Sequence, residues 1–266
     1  MIPIKTKEEI EVMAMGGHVL KQVFDDLSIM IKPGIKTIEI ERKAEKIIRN
    51  FKGKPSFKGQ NGFPFCICAS LNEEIVHGLP SNRELKDGDV FTLDFGIFFK
   101  LETILGNDFD KKLYPNILNG FHTDMARTYI IGEADTEIKR LVNTTRKMLK
   151  IGIKKIRPGI TLGDLGETMQ RYAEKQGFAV MRELCGHGIG KDLHEQPDVL
   201  NYGQRHRGIK LEAGMVLCLE PMLSLGDYHI KLSKNGFTYE TKDKSISAHF
   251  EDMVAVVEDG SRVLTD

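Results

Sequence analysis

Apolar positions along this chain fall into two rhythms, helical spacing and short unbroken runs, and their alternation divides the sequence into elements. The stretch EEIEVMAMGGHVLKQVF near the start reads as a helix that begins by residue 8. IKPGIKTIEIERKAEKI (31 to 47) and IRPGITLGDLGETMQRY (156 to 172) each place Pro-Gly and then Thr ahead of an amphipathic pattern, which is a helix-start signal. Met215 to Leu219 is a continuous apolar run of the length of a buried strand, introduced by the turn residues Ala213 and Gly214. Pro221 lacks an N–H and so should not carry a central strand further. Between run and proline sits Glu220, a carboxylate at the rim of a core, where an unpaired charge costs several kcal/mol. Its position calls for a cationic partner.

Comparing the chain with itself extends the pattern. LKDGDVFTLDF (85 to 95) aligns with LEAGMVLCLEP (211 to 221) at an offset of 126, which sets Asp94 against Glu220. The two Pro-Gly helices align at an offset of 125. HTDMARTYIIG (122 to 132) aligns with HFEDMVAVVEDG (249 to 260), setting Asp124 against Glu251 at an offset of 127. Both members of this last pair read as strands with a carboxylate at the beginning. The segments between the paired carboxylates, 95 to 123 and 221 to 250, show no such likeness. Three matches in order predict an internal duplication about a pseudo-two-fold axis, with halves of roughly 1 to 135 and 136 to 266 in one domain spanning 1 to 266.

Four carboxylates at strand ends would then meet near the axis. Any one of them alone reads equally as a turn or helix-cap residue. Gathered near a core, they would repel one another and protonate or separate unless multivalent cations neutralise them, and two divalent ions supply the charge. His187, in CGHGIG, is flanked by glycines that permit close backbone approach and unusual dihedrals beside a ligand. His194 in LHEQP and His77 in VHGLP are further candidates, and His122 and His249 lie within two residues of proposed ligands. Two Asp, two Glu and one His form an oxygen-rich set with one nitrogen, suited to Mn, Fe, Co or Zn pairs. Bridging carboxylates hold such pairs about 3.5–4 Å apart, and a water between the ions becomes a nucleophile for an amide or phosphoester centre. No GxxxxGK[ST] cradle and no GxSxG elbow occurs, which disfavours phosphate chemistry and a serine nucleophile.

Composition narrows the class. The 266 residues carry 38 basic and 38 acidic side chains, so no net charge favours nucleic acid, and Lys154, Lys155 and Arg157 read as a solvated helix face. The N-terminus turns polar at Lys5, unlike a secretory signal, and no window approaches the roughly 18 apolar residues of a membrane span. A soluble, cytoplasmic protein is expected. The cysteines Cys66, Cys68, Cys185 and Cys218 form no CxxC pair and are expected as thiols.

The segments VHGLP, LDF, HTDMART, CGHGIGKDLHEQP, LEPM and AHFEDMV, in order and over nearly the full chain, resemble the type I methionine aminopeptidases of the bacterial form. The resemblance implies an α+β pita-bread fold, an antiparallel sheet covered by helices in two related halves. It implies that Asp94 binds one ion through both oxygens, that Asp124 and Glu251 bridge the pair, and that His187 and Glu220 complete the other shell. Glu220 is further implicated in proton transfer, His194 in hydrogen bonding to the scissile carbonyl and its oxyanion, and His77 in contacting the substrate nitrogen and the leaving group. A methionine pocket maps onto Phe63, Cys68, Leu193 and Phe237; Phe63 and Phe237 stand where bacterial members often carry Tyr and Trp. The implied partners are nascent polypeptide N-termini met at the ribosome, with no membrane and no nucleic-acid specificity, by a protein taken as a monomer.

LETILGNDFDKKLYPNILNG, roughly 101 to 120, is extra relative to typical members and reads as an extended hairpin or loop. Beginning beside two ligands, it either restricts the mouth of the site or points away from it. Two rivals remain: a proline-specific enzyme of the same fold, which usually carries a sizeable extra N-terminal domain, and a non-catalytic binding module, which typically loses metal ligands. The type II methionine enzymes carry a helical insertion that the 30 residues from Glu220 to Glu251 cannot hold.

Overall fold

The computed structural model describes residues 2–266. Helix Lys7–Ser28 starts where Thr6 can cap it: Thr6 Oγ1 accepts from the Glu9 amide at 3.1 Å and Glu9 Oε2 accepts from the Thr6 amide at 2.9 Å. It buries Met13, Leu20, Val23, Phe24 and Leu27, one face of a helical repeat. The duplicated helices are Thr37–Asn50 and Leu162–Lys175, each 14 residues long and 125 positions apart at both ends. Thr161 forms a capping box with Asp164 at the second start. Helix Thr136–Lys155 opens the second half and ends on the basic turn Lys154 and Lys155, whose charges complement the helix dipole. Among the described residues no helix is long and apolar enough to cross a membrane.

In the first half, the ten-residue strands Val90–Phe99 and Phe121–Ile130 pair antiparallel along their whole length, with Cys68–Leu71 and Lys54–Pro55 on the other side of Val90–Phe99. The second half has a five-stranded sheet, in the order Gly260–Val263, Asp252–Val257, Val216–Leu219, Cys185–Gly188 and Glu195–Leu200. The halves join at an antiparallel bridge, where the Glu251 amide donates to Ala126 O at 3.0 Å. Arg127 crosses the seam, donating to the Glu251 carbonyl and, at 2.6 Å, to Asp252 Oδ1. Ile189, Val216, Cys218 and Met253 of the second half pack into the same apolar core as Phe24, Phe91 and Phe95 of the first.

The strand before Pro221 ends at Leu219, as the proline requires. Leu219 pairs with Asp252 and, on the same register but in another sheet, Met222 pairs with His249, so the lapse is confined to Glu220 and Pro221. One missing N–H removes one ladder bond, and the chain resumes as Met222–Ser224. The duplication is also imperfect in register. Asp94 faces Ala126 and Asp124 faces Gly96, whereas the second-half register sets Glu220 opposite Glu251.

The inserted segment is the loop that connects the paired strands Val90–Phe99 and Phe121–Ile130, and it is packed rather than extended. Leu101–Leu105 is a short helix and Lys111–Leu113 a 3-10 turn, with Leu101, Tyr114 and Ile117 buried in the first-half core. Asn116 donates to Glu9 Oε1 at 2.6 Å from its amide and to Oε2 at 2.8 Å from its side chain. Its apolar residues are scattered among polar ones, so neither helical nor strand periodicity stands out over the segment.

Candidate metal centre

The candidate ligands, the two auxiliary imidazoles and the pocket residues line one cavity of about 460 Å³: the carboxylates Asp94, Asp124, Glu220 and Glu251, the imidazoles His77, His187 and His194, and Phe63, Cys68, Leu193 and Phe237. The inserted segment contributes nothing to its wall. Asp94 and Asp124 project from neighbouring strands of the first half, and Glu251 from the bridge that joins the halves. His187 is paired with Cys218 on the adjoining strand, and its Nε2 lies 3.6 Å from Glu220 Oε1. Ligand atoms of Asp124, His187, Cys218 and Glu251 all lie within 4.8 Å of one another.

The electrostatics explain what this arrangement lacks. Burial pushes Asp124 up to about 8. Burial raises Asp94, Glu220 and Glu251 well above the usual carboxylate range, and repulsion from neighbouring carboxylates adds to it. No Lys or Arg lines the cavity. The nearest bases are no help, since burial drives His187 down to about 4 and His249 down to about 3, leaving both neutral. Asp94 Oδ1 and Glu251 Oε1 are buried without a hydrogen-bond partner. Buried polar atoms are rarely left so, and four carboxylates, two of them with an orphaned oxygen, and a neutral imidazole form a donor set that suits divalent cations. His187 Nδ1–H donates to Gly188 O at 2.8 Å, which leaves Nε2 and its lone pair facing the carboxylates.

His187 stands on strand Cys185–Gly188, not in a loop. Its flanking glycines serve close approach of neighbouring strands: a Cβ on Gly186 would meet Cys218 O at 2.2 Å, and one on Gly188 would meet Gln196 O at 2.3 Å. His122 lies outside the cavity wall and bonds Ser56 Oγ at 2.9 Å. His249 reaches the cavity, with Nε2 3.5 Å from Glu220 Oε2. Cys218, which lies in the apolar run Met215 to Leu219, also reaches this cluster. Strand alternation from Glu220 was the available signal, since residues i and i+2 share a face.

Beside this centre, Phe63 and Phe237 meet edge to face with ring centroids 5.7 Å apart. The His194 ring approaches that of His187 at 4.5 Å, and the His77 ring approaches Tyr239 at 5.9 Å. His77 adopts φ +58°, a left-handed backbone that turns the chain at the cavity wall. Burial lowers the pKa of His194, and burial together with the neighbouring His194 lowers that of His77. Both are neutral at neutral pH and able to donate an N–H.

Helix-covered antiparallel strands around a carboxylate-rich centre with one imidazole define a metal-dependent hydrolase of the pita-bread class. Within it, the chain belongs to metallopeptidase family M24, whose model matches residues 11–103 and 114–258 and leaves out part of the inserted segment. The methionine aminopeptidase of Clostridium acetobutylicum is 40% identical over 266 residues, covering 100% of this chain and 99% of that one. The crystal structure of methionine aminopeptidase from Thermotoga maritima matches with a TM-score of 0.90 at 38% identity over 100% of both chains. Prolidase from Pyrococcus furiosus shares the fold, with a TM-score of 0.72 at 21% identity, and this chain covers 65% of it.

Proposed function

We propose that this chain is a metallo-exopeptidase that removes the N-terminal methionine from nascent proteins and peptides whose second residue is small. One observation carries the reading: the ligand set, both auxiliary imidazoles and the apolar pocket residues share a single cavity in a chain 40% identical, end to end, to a methionine aminopeptidase. The whole chain acts as one catalytic domain built of two halves.

Two divalent ions drawn from Mn, Fe, Co and Zn, held by Asp94, Asp124, His187, Glu220 and Glu251, would supply Lewis-acid activation of a water and of the scissile carbonyl. The protein does the rest. Asp94, Asp124 and Glu251 would hold the ions through their carboxylates, and His187 would offer the Nε2 that its bond to Gly188 leaves free. Glu220 takes a proton from the attacking water and passes it to the leaving amine; neutral His249 stands beside that carboxylate at 3.5 Å without forming a salt with it. His194 donates an N–H to the oxyanion that develops on the scissile carbonyl, a bond strongest in the transition state. His77 contacts the substrate nitrogen. Phe63, Cys68, Leu193 and Phe237 receive the methionine side chain, Phe63 and Phe237 offering apolar walls with no hydroxyl or indole N–H. The working partners are emerging N-termini at the ribosome, met in the cytoplasm by a monomer.

The test is amino-acid release from Met-Ala-Ser and Ala-Pro-Ala by chelator-stripped protein, before and after adding back Mn, Fe(II), Co or Zn. Methionine release restored by metal is expected. Cleavage of Ala-Pro-Ala alone would move the chain to the proline-specific enzymes, and no release with any metal would leave a binding module.

A further inference from the structure

Outside the metal centre, one buried ion pair touches the cavity. Lys5 is 4% exposed, and its ammonium bonds Glu195 Oε2, whose carboxylate belongs to the cavity wall beside His194. The other oxygen, Oε1, accepts from the Asp192 amide at 3.3 Å, which closes the turn between His187 and His194. Glu195 pairs across the sheet with Gly188, the residue next to His187. Gly190 completes the packing: a Cβ there would meet Glu195 Oε1 and Lys5 Cε at 2.7 Å and Lys5 Nζ at 2.9 Å. The pair is therefore wedged against the backbone of the turn that presents His194.

Lys5 is itself held from two sides. Its amide donates to Gly214 O at 2.8 Å, and its neighbour Thr6 donates through Oγ1 to Leu113 O at 3.0 Å. Asn116 of the inserted segment binds Glu9 and also donates to Ile4 O at 2.9 Å. The insertion thus clamps the stretch Ile4–Thr6 from outside, while Glu195 receives Lys5 from within.

A buried ion pair is weak evidence for stability, because desolvation offsets most of its attraction. Its geometric effect is another matter: it sets the position of the residue next to it. We infer that Lys5 and Glu195 are positioning residues for the reaction, fixing the 189–195 turn so that the His194 imidazole stays against His187 and over the scissile carbonyl. The inserted segment acts through them, as a buttress of the N-terminal stretch and not as a gate at the mouth. This inference rests on the role proposed above for His194.

The experiment uses the full chain with Lys5→Met and Glu195→Gln combined, which leaves no buried charge unpaired. Expected are a metal stoichiometry and affinity by Mn titration calorimetry equal to the parent, and KM for Met-Ala-Ser changed little. The kcat should fall about tenfold to a hundredfold, the effect of misplacing a positioned group. Adding His194→Ala should then cost nothing more than His194→Ala alone. Should the double variant not fold, Gly190→Ala replaces it, since it displaces the pair without removing a charge, and the same split is expected. A kcat within about twofold of the parent, or losses that multiply with that of His194→Ala, would overturn the inference. The two levels separate cleanly. If His194→Ala keeps full turnover, the role of His194 fails and this inference with it; if His194→Ala is impaired while the pair variants are not, only the pair inference fails.

Discussion

Stripping the metal should make the stability of this protein fall as pH rises from 6.5 to 8, where the metal-loaded protein shows no such fall. In the stripped protein the four clustered carboxylates face no Lys or Arg in their cavity, and Asp124 is pushed from an ordinary value of 3.8 up to about 8. A carboxylate whose folded pKa is raised is at ease while protonated. It costs stability as pH climbs from its unfolded value to its folded one, because there the folded state binds more protons. The buried histidines act in the opposite direction but in another range. His187, at about 4, and His249, at about 3, lose stability only as pH falls below their ordinary value of 6.5. The window from 6.5 to 8 therefore isolates the carboxylates.

One retained proton changes stability by about 1.4 kcal/mol per pH unit, so Asp124 alone contributes about 2 kcal/mol across the window. At about 2.1 cal/mol/K of unfolding entropy per residue, a chain of 266 residues should lose about 4 °C in Tm, and more if a second carboxylate also holds its proton. The assay is calorimetric or fluorescence melting of chelator-treated and Mn-reloaded protein at three pH values in that range. Metal should widen the gap with pH, since it binds the ionised ligands. A stripped protein whose Tm is flat or rises over this window would refute the account of the centre as uncompensated buried carboxylates.

Glu251→Gln, which removes a charge at the bridge between the halves, should lose one equivalent of bound metal by titration and nearly all methionine release. His194→Ala should keep its metals and lose about 100-fold in kcat, the usual cost of an oxyanion donor. Ile117→Ala, at a fully buried site in the inserted segment, should cost about 2–5 kcal/mol in denaturant titrations while leaving KM for short and long methionyl peptides unchanged. Phe237→Ala, by removing one wall of the edge-to-face pair, should lower kcat/KM for Met-Ala-Ser about tenfold with metal content intact.

The sequence by itself determined the helices, the buried runs and the candidate ligands, because each leaves a local mark. Thr161 and Asp164 announce a helix start, Met215 to Leu219 announces a strand, and the repeat that sets Asp94 against Glu220 announces two related halves. Chemistry-bearing residues are legible in this way when they interrupt an apolar pattern, as Glu220 does. Only the tertiary structure decided how the halves meet. The chain keeps one register across the break at Glu220 and Pro221, which sets Glu220 opposite Glu251, and the first-half carboxylates sit on a different register; a period of two along one strand says nothing about its partner. The approach of Cys218 to Asp124, His187 and Glu251 and the burial of the inserted segment against helix Lys7–Ser28 were decided there too. So was the path from Asn116 through the N-terminal stretch to Glu195. These depend on contacts between residues far apart in the sequence, each with an unremarked local pattern, and such contacts exist only once the chain has folded around one core.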